Sequence, residues 1–148
     1  MNGLEGETYG VEVSLEWEVM NRWVLLAGWN YLRKDLRLKP WSMDVNMTEG
    51  EGNDPEHRAH LTSRMDLPYD LHVDVHLRFV GELMNSNAVV PAYTELDVSL
   101  GWSFTSDFSL ELTGNDLLHD EHAEFGSPAT RRLIERGFRA MLVWEPGR

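Results

Sequence analysis

Two groups of side chains in this 148-residue chain have the types and spacing that hold a metal ion. The first is His72, Asp74 and His76, which alternate with Val73 and Val75, so that all three share one face if the segment is extended. Two imidazoles and a carboxylate suit zinc or non-haem iron. Residues i and i+4 of a strand stand ~13 Å apart, however, and an ion with bonds of ~2.1 Å is not reached by both histidines unless the strand bulges. The second group is His119 and His122, in an acidic loop where chelation needs less distortion. Structural use of all these side chains is the preferred reading, so the expectation is no metal and no cofactor. The chain has no phosphate loop, nucleophile elbow or zinc-protease pair, and no catalytic residue is expected.

The elements that would position these groups are strands. Apolar and polar residues alternate with period two in seven segments: 9–19, 23–32, 59–67, 71–80, 93–104, 108–118 and 134–144. The clearest sets Leu96, Val98, Leu100, Trp102 and Phe104 against Glu95, Asp97, Ser99, Gly101 and Ser103. Each segment builds one apolar and one polar face and is about long enough for a tilted strand to cross a bilayer. No comparable stretch has helical periodicity with caps, although residues 128–136 have room for a short helical turn. The expected fold is all-β, an antiparallel up-and-down meander of about seven strands.

The connections alternate as well. Residues 20–22, 68–70 and 105–107 are tight turns, whereas 33–58, 81–91 and 119–133 are long and polar. Short turns at one end and long loops at the other are how an outer-membrane barrel is built. Aromatic residues follow the same division. Trp17, Trp23, Trp102, Phe104, Phe108 and Trp144 lie beside the short turns, and Tyr9, Trp29, Tyr31, Phe79 and Phe138 lie nearer the long loops. Aliphatic residues fill the positions between. From Tyr9 to Trp17 is about 20 Å after a tilt of ~40°, close to the height of a lipid-facing band between two aromatic girdles.

The opposite face carries Arg64, Arg78, Asp74, Glu95 and further polar residues, whose mixed signs suit cross-strand pairs such as Arg64 or Arg78 with Asp74 or Glu95. A formal charge of −12 speaks against nucleic acid, which needs a basic surface. The absence of cysteine removes disulfide and thiolate-zinc frameworks. No apolar run approaches ~18 residues, which excludes a membrane-spanning helix but not a barrel. The first seven residues have neither the basic start nor the apolar run of a signal peptide, so the chain is expected to be a fragment, with Met1 either a cut in a longer receptor or an internal start.

Three groups of residues carry a family likeness. They are Val90-Pro91-Ala92-Tyr93-Thr94-Glu95-Leu96-Asp97-Val98-Ser99-Leu100-Gly101-Trp102, then Leu117-Leu118 with His122-Ala123-Glu124-Phe125-Gly126, then Glu135-Arg136-Gly137-Phe138-Arg139-Ala140-Met141-Leu142-Val143-Trp144. In this order they resemble the C-terminal end of TonB-dependent outer-membrane receptors. Glu7-Thr8-Tyr9-Gly10-Val11-Glu12, the hairpin into Trp23, and residues 71–83 are similar to earlier barrel strands of that family, so the resemblance spans nearly the whole chain. Two departures stand out. Asp116 occupies the place usually held by Asn before the Leu-Leu pair, and the chain runs past Trp144 into Glu145-Pro146-Gly147-Arg148 where the family commonly ends on an aromatic residue.

The resemblance implies a ~22-stranded barrel, plugged by an N-terminal domain and energised through a TonB-type coupling protein, in the outer membrane of a Gram-negative cell. Residues 1–148 would be the C-terminal part of such a barrel, without plug or signal peptide, and not transport-competent alone. Its partners would be outer-membrane lipid, the earlier strands and plug, and the coupling protein through the absent N-terminal part. The substrate class would be a scarce nutrient such as an iron chelate or a corrinoid. Two other readings of the residues stay open. A soluble β-barrel would turn the same apolar face inward around a small apolar ligand, and a metal-dependent barrel enzyme would use the histidines.

Overall fold

Alternation of side chains across a pleat commits each period-two segment to a strand. The computed structural model describes residues 3–42, 54–84, 89–129 and 131–146, and those residues hold eleven strands and no helix. They are β1 (Leu4–Met20), β2 (Trp23–Leu38), β3 (His57–Leu67), β4 (Leu71–Val80), β5 (Leu83–Met84), β6 (Val89–Val90), β7 (Tyr93–Ser103), β8 (Phe108–Asn115), β9 (Glu121–His122), β10 (Ile134–Glu135) and β11 (Gly137–Trp144). The seven long strands form one antiparallel meander in the order β1-β2-β3-β4-β7-β8-β11. The long connections carry two small ribbons, β5 with β6 and β9 with β10.

The tight turns lie where the sequence places them. Met20 pairs with Trp23 across Asn21 and Arg22. Pro68-Tyr69-Asp70 closes the β3–β4 hairpin with Tyr69 and Asp70 at φ of 68° and 54°, a left-handed conformation that Asp tolerates better than Tyr. In the third turn the Thr105 hydroxyl accepts the amides of Asp107 (3.3 Å) and Phe108 (3.0 Å).

The structure departs from the expected boundaries in four places. The β1–β2 ladder runs on to the pair Leu4 and Leu38, beyond Tyr9 and Arg33, so residues 33–38 and 57–58 are strand rather than loop. Charged side chains dominate there, and the backbone ladder continues without apolar alternation. A bulge between Glu18 and Met20 removes Val19 from the apolar row and sets Met20 opposite Trp23. β8 stops at Asn115 because Asp116 turns the chain at φ 56°. The last strand is interrupted at Arg136, whose amide bonds to the Asp120 carbonyl at 3.0 Å. Where a short turn is expected within 128–136, the described residues show a hydrogen bond from the Arg131 amide to the Ser127 carbonyl.

Register places the apolar residues in rows across the sheet, for example Leu15, Ala27, Leu61, Leu77 and Leu96, then Met65, Val73, Leu100, Leu112 and Ala140. Nothing among the described residues covers this face. Val90 is their one buried hydrophobic side chain, while Leu15 is 60% exposed, Leu112 is 40% exposed, and Val75 and Leu100 are half-buried. A soluble binder needs these residues in a dry interior. Among the described residues β1 and β11 each pair on one side only, and the sheet builds no such interior.

Candidate functional site

The apolar face is organised by height. At the turn end Trp102, Phe104, Phe108 and Trp144 form a continuous ring series, with successive centroids 5.4, 6.2 and 6.2 Å apart. Trp23 stands on the same face and its indole donates to the Ser63 hydroxyl at 2.9 Å. At the loop end Tyr9 meets Tyr31 edge-on at 6.5 Å, Trp29 stacks on Tyr31 at 6.4 Å, and His57 joins both rings at 5.9 and 5.0 Å. Trp17, Phe79 and Phe138 lie on the same surface by register, at 56%, 39% and 78% exposure. All eleven aromatics singled out from the sequence therefore share one face. His57 is an addition that alternation alone marks as outward.

On the polar face the triplet His72, Asp74 and His76 does not converge. The His72 ring lies against Gly101, where an added Cβ would come 2.5 Å from the ring, and the His76 Nδ1 is 2.8 Å from the Thr62 hydroxyl. His60 covers Gly28 in the same way as His72 covers Gly101. Each imidazole fills the gap above a cross-strand glycine or hydroxyl, a packing role that explains its place on a strand.

The other histidines do meet a partner. Asp116, in its left-handed conformation, folds the chain after β8 back over β7. The Leu117 amide bonds to the Leu96 carbonyl at 2.9 Å and the Asp116 amide to the Asp97 carboxylate at 2.9 Å. Glu95 is wholly buried beneath this fold. Its carboxylate accepts the Leu118 amide at 3.1 Å, lies 2.5 Å from His119 Nδ1, and lies 3.3 Å from His122 Nδ1. His122 Nε2 is 3.0 Å from Glu124, and its ring packs on Tyr93 at 4.7 Å.

Arg78 completes the cluster. Its guanidinium donates to Asp116 at 2.5 Å and to Glu124 at 2.8 Å, and it lies over the Tyr93 ring at 5.6 Å. Register sets Arg78 opposite Glu95 and Arg64 opposite Asp74, yet neither expected ion pair forms among the described residues. The long Arg78 side chain instead crosses to the loop, and Glu95 turns to the histidines. Burial works against charge at Glu124, but its hydrogen bonds from His122 and Arg78 and the Arg78 charge prevail and hold its carboxyl below the usual range. Glu95, Asp116 and His122 bring ligand atoms within 4.8 Å of one another, all on buried residues. Sequence reasoning singled out His119 and His122 but missed Glu95 and Glu124 as their partners and Asp116 as the partner of Arg78. The signal available was Asn115-Asp116, a pair prone to left-handed turns, at the end of a strand.

Comparison with known proteins gives this arrangement a family. Residues 4–117 match the family described as TonB dependent receptor-like, beta-barrel. Among solved structures, the siderophore receptor PiuA from Acinetobacter baumannii is similar with a TM-score of 0.71 and 21% identity, over 95% of this chain and 22% of that one. The ferric yersiniabactin uptake receptor FyuA from Yersinia pestis is similar with a TM-score of 0.67 and 18% identity, over 96% of this chain and 23% of that one. No curated protein matches. The chain thus spans less than a quarter of the length of the solved receptors it resembles. On the extent of the family match, over most of seven strands that pair as a barrel wall does, the chain belongs to the TonB-dependent receptor β-barrel family, whose members are outer-membrane receptors of Gram-negative bacteria.

Proposed function

We infer that residues 1–148 are the C-terminal part of the barrel of an energy-coupled outer-membrane receptor that takes up a scarce nutrient, an iron chelate or a corrinoid. The observation that carries this reading is the bare apolar face, banded by aromatics at both ends and backed by a charged face, on a sheet that does not close. Lipid is the solvent that such a face fits, and its aromatic ends fit the two interfaces of a bilayer. The girdles on this reading are Tyr9, Trp29, Tyr31, Phe79 and Phe138 at the outer leaflet, and Trp17, Trp23, Trp102, Phe104, Phe108 and Trp144 at the periplasmic leaflet. The polar face lines the wet lumen.

Seven strands are about a third of a ~22-stranded wall, so this segment alone encloses no pore and does not transport. The remaining strands pair with the free edges of β1 and β11, a plug contacts the polar face, and a TonB-type protein supplies energy through the plug's N-terminal segment. An iron chelate as cargo draws support from PiuA, named a siderophore receptor, and FyuA, named a ferric yersiniabactin uptake receptor. No catalytic role is assigned to any residue. Fractionation tests the reading: the protein is expected in the outer membrane and soluble only with detergent, with uptake of a ferric chelate lost on its deletion. A monomer recovered from the soluble fraction without detergent would contradict it.

A further inference from the structure

At the loop end of β7 three carboxylates, two of them buried, gather around a single guanidinium. Glu95, Asp116 and Glu124 share one guanidinium, that of Arg78, and two histidines. The arrangement of His122 sharpens the imbalance. Its Nε2 lies 3.0 Å from the Glu124 carboxylate, an acceptor that takes a proton from it, so Nδ1 is the ring nitrogen turned toward Glu95. That Nδ1 is buried, has no hydrogen-bond partner among the described residues, and stands 3.3 Å from Oε1 of Glu95. A buried imidazole nitrogen and a buried carboxylate oxygen, on residues of 9% and 0% exposure and with no hydrogen bond between them, leave a place for a positive centre.

We propose that Glu95, Asp116 and His122 bind one divalent transition-metal ion of the zinc class where the chain after β8 folds back over β7. The donor set is one imidazole nitrogen and two carboxylates, which suits zinc and its first-row neighbours better than magnesium. Each ligand is already held from behind. Glu124 orients the His122 ring as a carboxylate–histidine pair does around zinc, Arg78 fixes Asp116, and the Leu118 amide fixes Glu95. The ligand atoms lie within 4.8 Å of one another, and a tetrahedral ion with bonds of ~2.1 Å needs them about 3.4 Å apart, a closure that side-chain rotation supplies. Bound metal would staple the loop that carries His119 and His122 to the barrel wall. The inference is independent of what the receptor transports.

The test uses the complete polypeptide that the gene encodes, purified in detergent, stripped with a chelator and titrated with Zn²⁺, with Co²⁺ as spectroscopic probe. One saturable equivalent is expected, with Co²⁺ giving the visible absorption of a four- or five-coordinate N/O site. His122→Ala and Asp116→Asn each abolish that equivalent, Glu124→Gln weakens it about 10- to 100-fold through the lost orienting bond, and His60→Ala and His76→Ala leave it unchanged. Glu95→Gln alters a wholly buried group, so the conclusion rests on the other variants, each checked for retained strand content by circular dichroism. A protein with no saturable Zn²⁺ binding below about 1 mM overturns the proposal and leaves a doubly protonated His122 bridging Glu95 and Glu124. Binding that survives His122→Ala overturns it equally.

Discussion

Replacing Arg78 with Met removes the guanidinium that ties Asp116 and Glu124, after β8, to β4, while keeping an apolar stem against Tyr93. Two charge-assisted hydrogen bonds at roughly 1.5–3 kcal/mol each set the upper bound at about 6 kcal/mol. Asp116 keeps little solvent access, but Glu124 is a quarter exposed and recovers hydration when released, which brings the expected cost to about 2–3 kcal/mol. That cost falls on local opening of the loop, because no hydrogen bond of the main sheet depends on it. Amide exchange at Leu117 and Leu118, whose partners are the Leu96 carbonyl and the Glu95 carboxylate, should accelerate roughly 30- to 150-fold, while Leu110 and Leu112 in β8 should not change. Arg78→Lys should fall between, since an ammonium matches one carboxylate but not both in fixed geometry. Asp116→Asn keeps the left-handed turn and removes the charge, so a cycle with Arg78→Met should show coupling of about 1 kcal/mol or more. Exchange at Leu117 and Leu118 that changes less than about threefold in Arg78→Met would refute the reasoning.

Three further outcomes follow from named contacts. Gly101→Val should destabilise the sheet by about 1–3 kcal/mol in chemical denaturation, because its Cβ meets the His72 ring at 2.5 Å, and His72→Ala should recover part of the loss. Tyr69→Asn should stabilise by up to about 1 kcal/mol by relieving a left-handed tyrosine that is 86% exposed, and a destabilisation would show that its ring has a partner in the membrane. Phe108→Ala should cost more than its lost area, by about 0.5–1.5 kcal/mol per ring contact, because it stacks on both Phe104 and Trp144; the excess is read against Leu110→Ala.

The seven strands, their order and their two faces were legible in the sequence because side-chain period is a local property and a face in contact with lipid must be apolar throughout. The three turns were legible for the same reason. The strand ends were not. Residues 4–8 and 33–38 carry Glu5, Glu7, Lys34, Asp35 and Arg37, so no hydropathy pattern marks them although the backbone ladder continues. The polar cluster was hidden more deeply. Arg78 reaches 38 residues along the chain to Asp116 and 46 to Glu124, and its direct cross-strand neighbour Glu95 pairs with His119 instead. Period predicts which face a side chain occupies, whereas the choice of ion partner depends on where the loop folds back, and that is set by the φ of Asp116.

The central claim is that the apolar face meets a bilayer, and cost against height tests it most directly. Arginine placed at Leu100, midway along β7, should destabilise the complete receptor in lipid vesicles by roughly 2–4 kcal/mol, falling toward about 0–1 kcal/mol at Trp102 and Phe104 near the girdle, while Ser99 on the polar face tolerates the same change. A cost that follows local packing alone, with no dependence on height along the strand, would contradict the account.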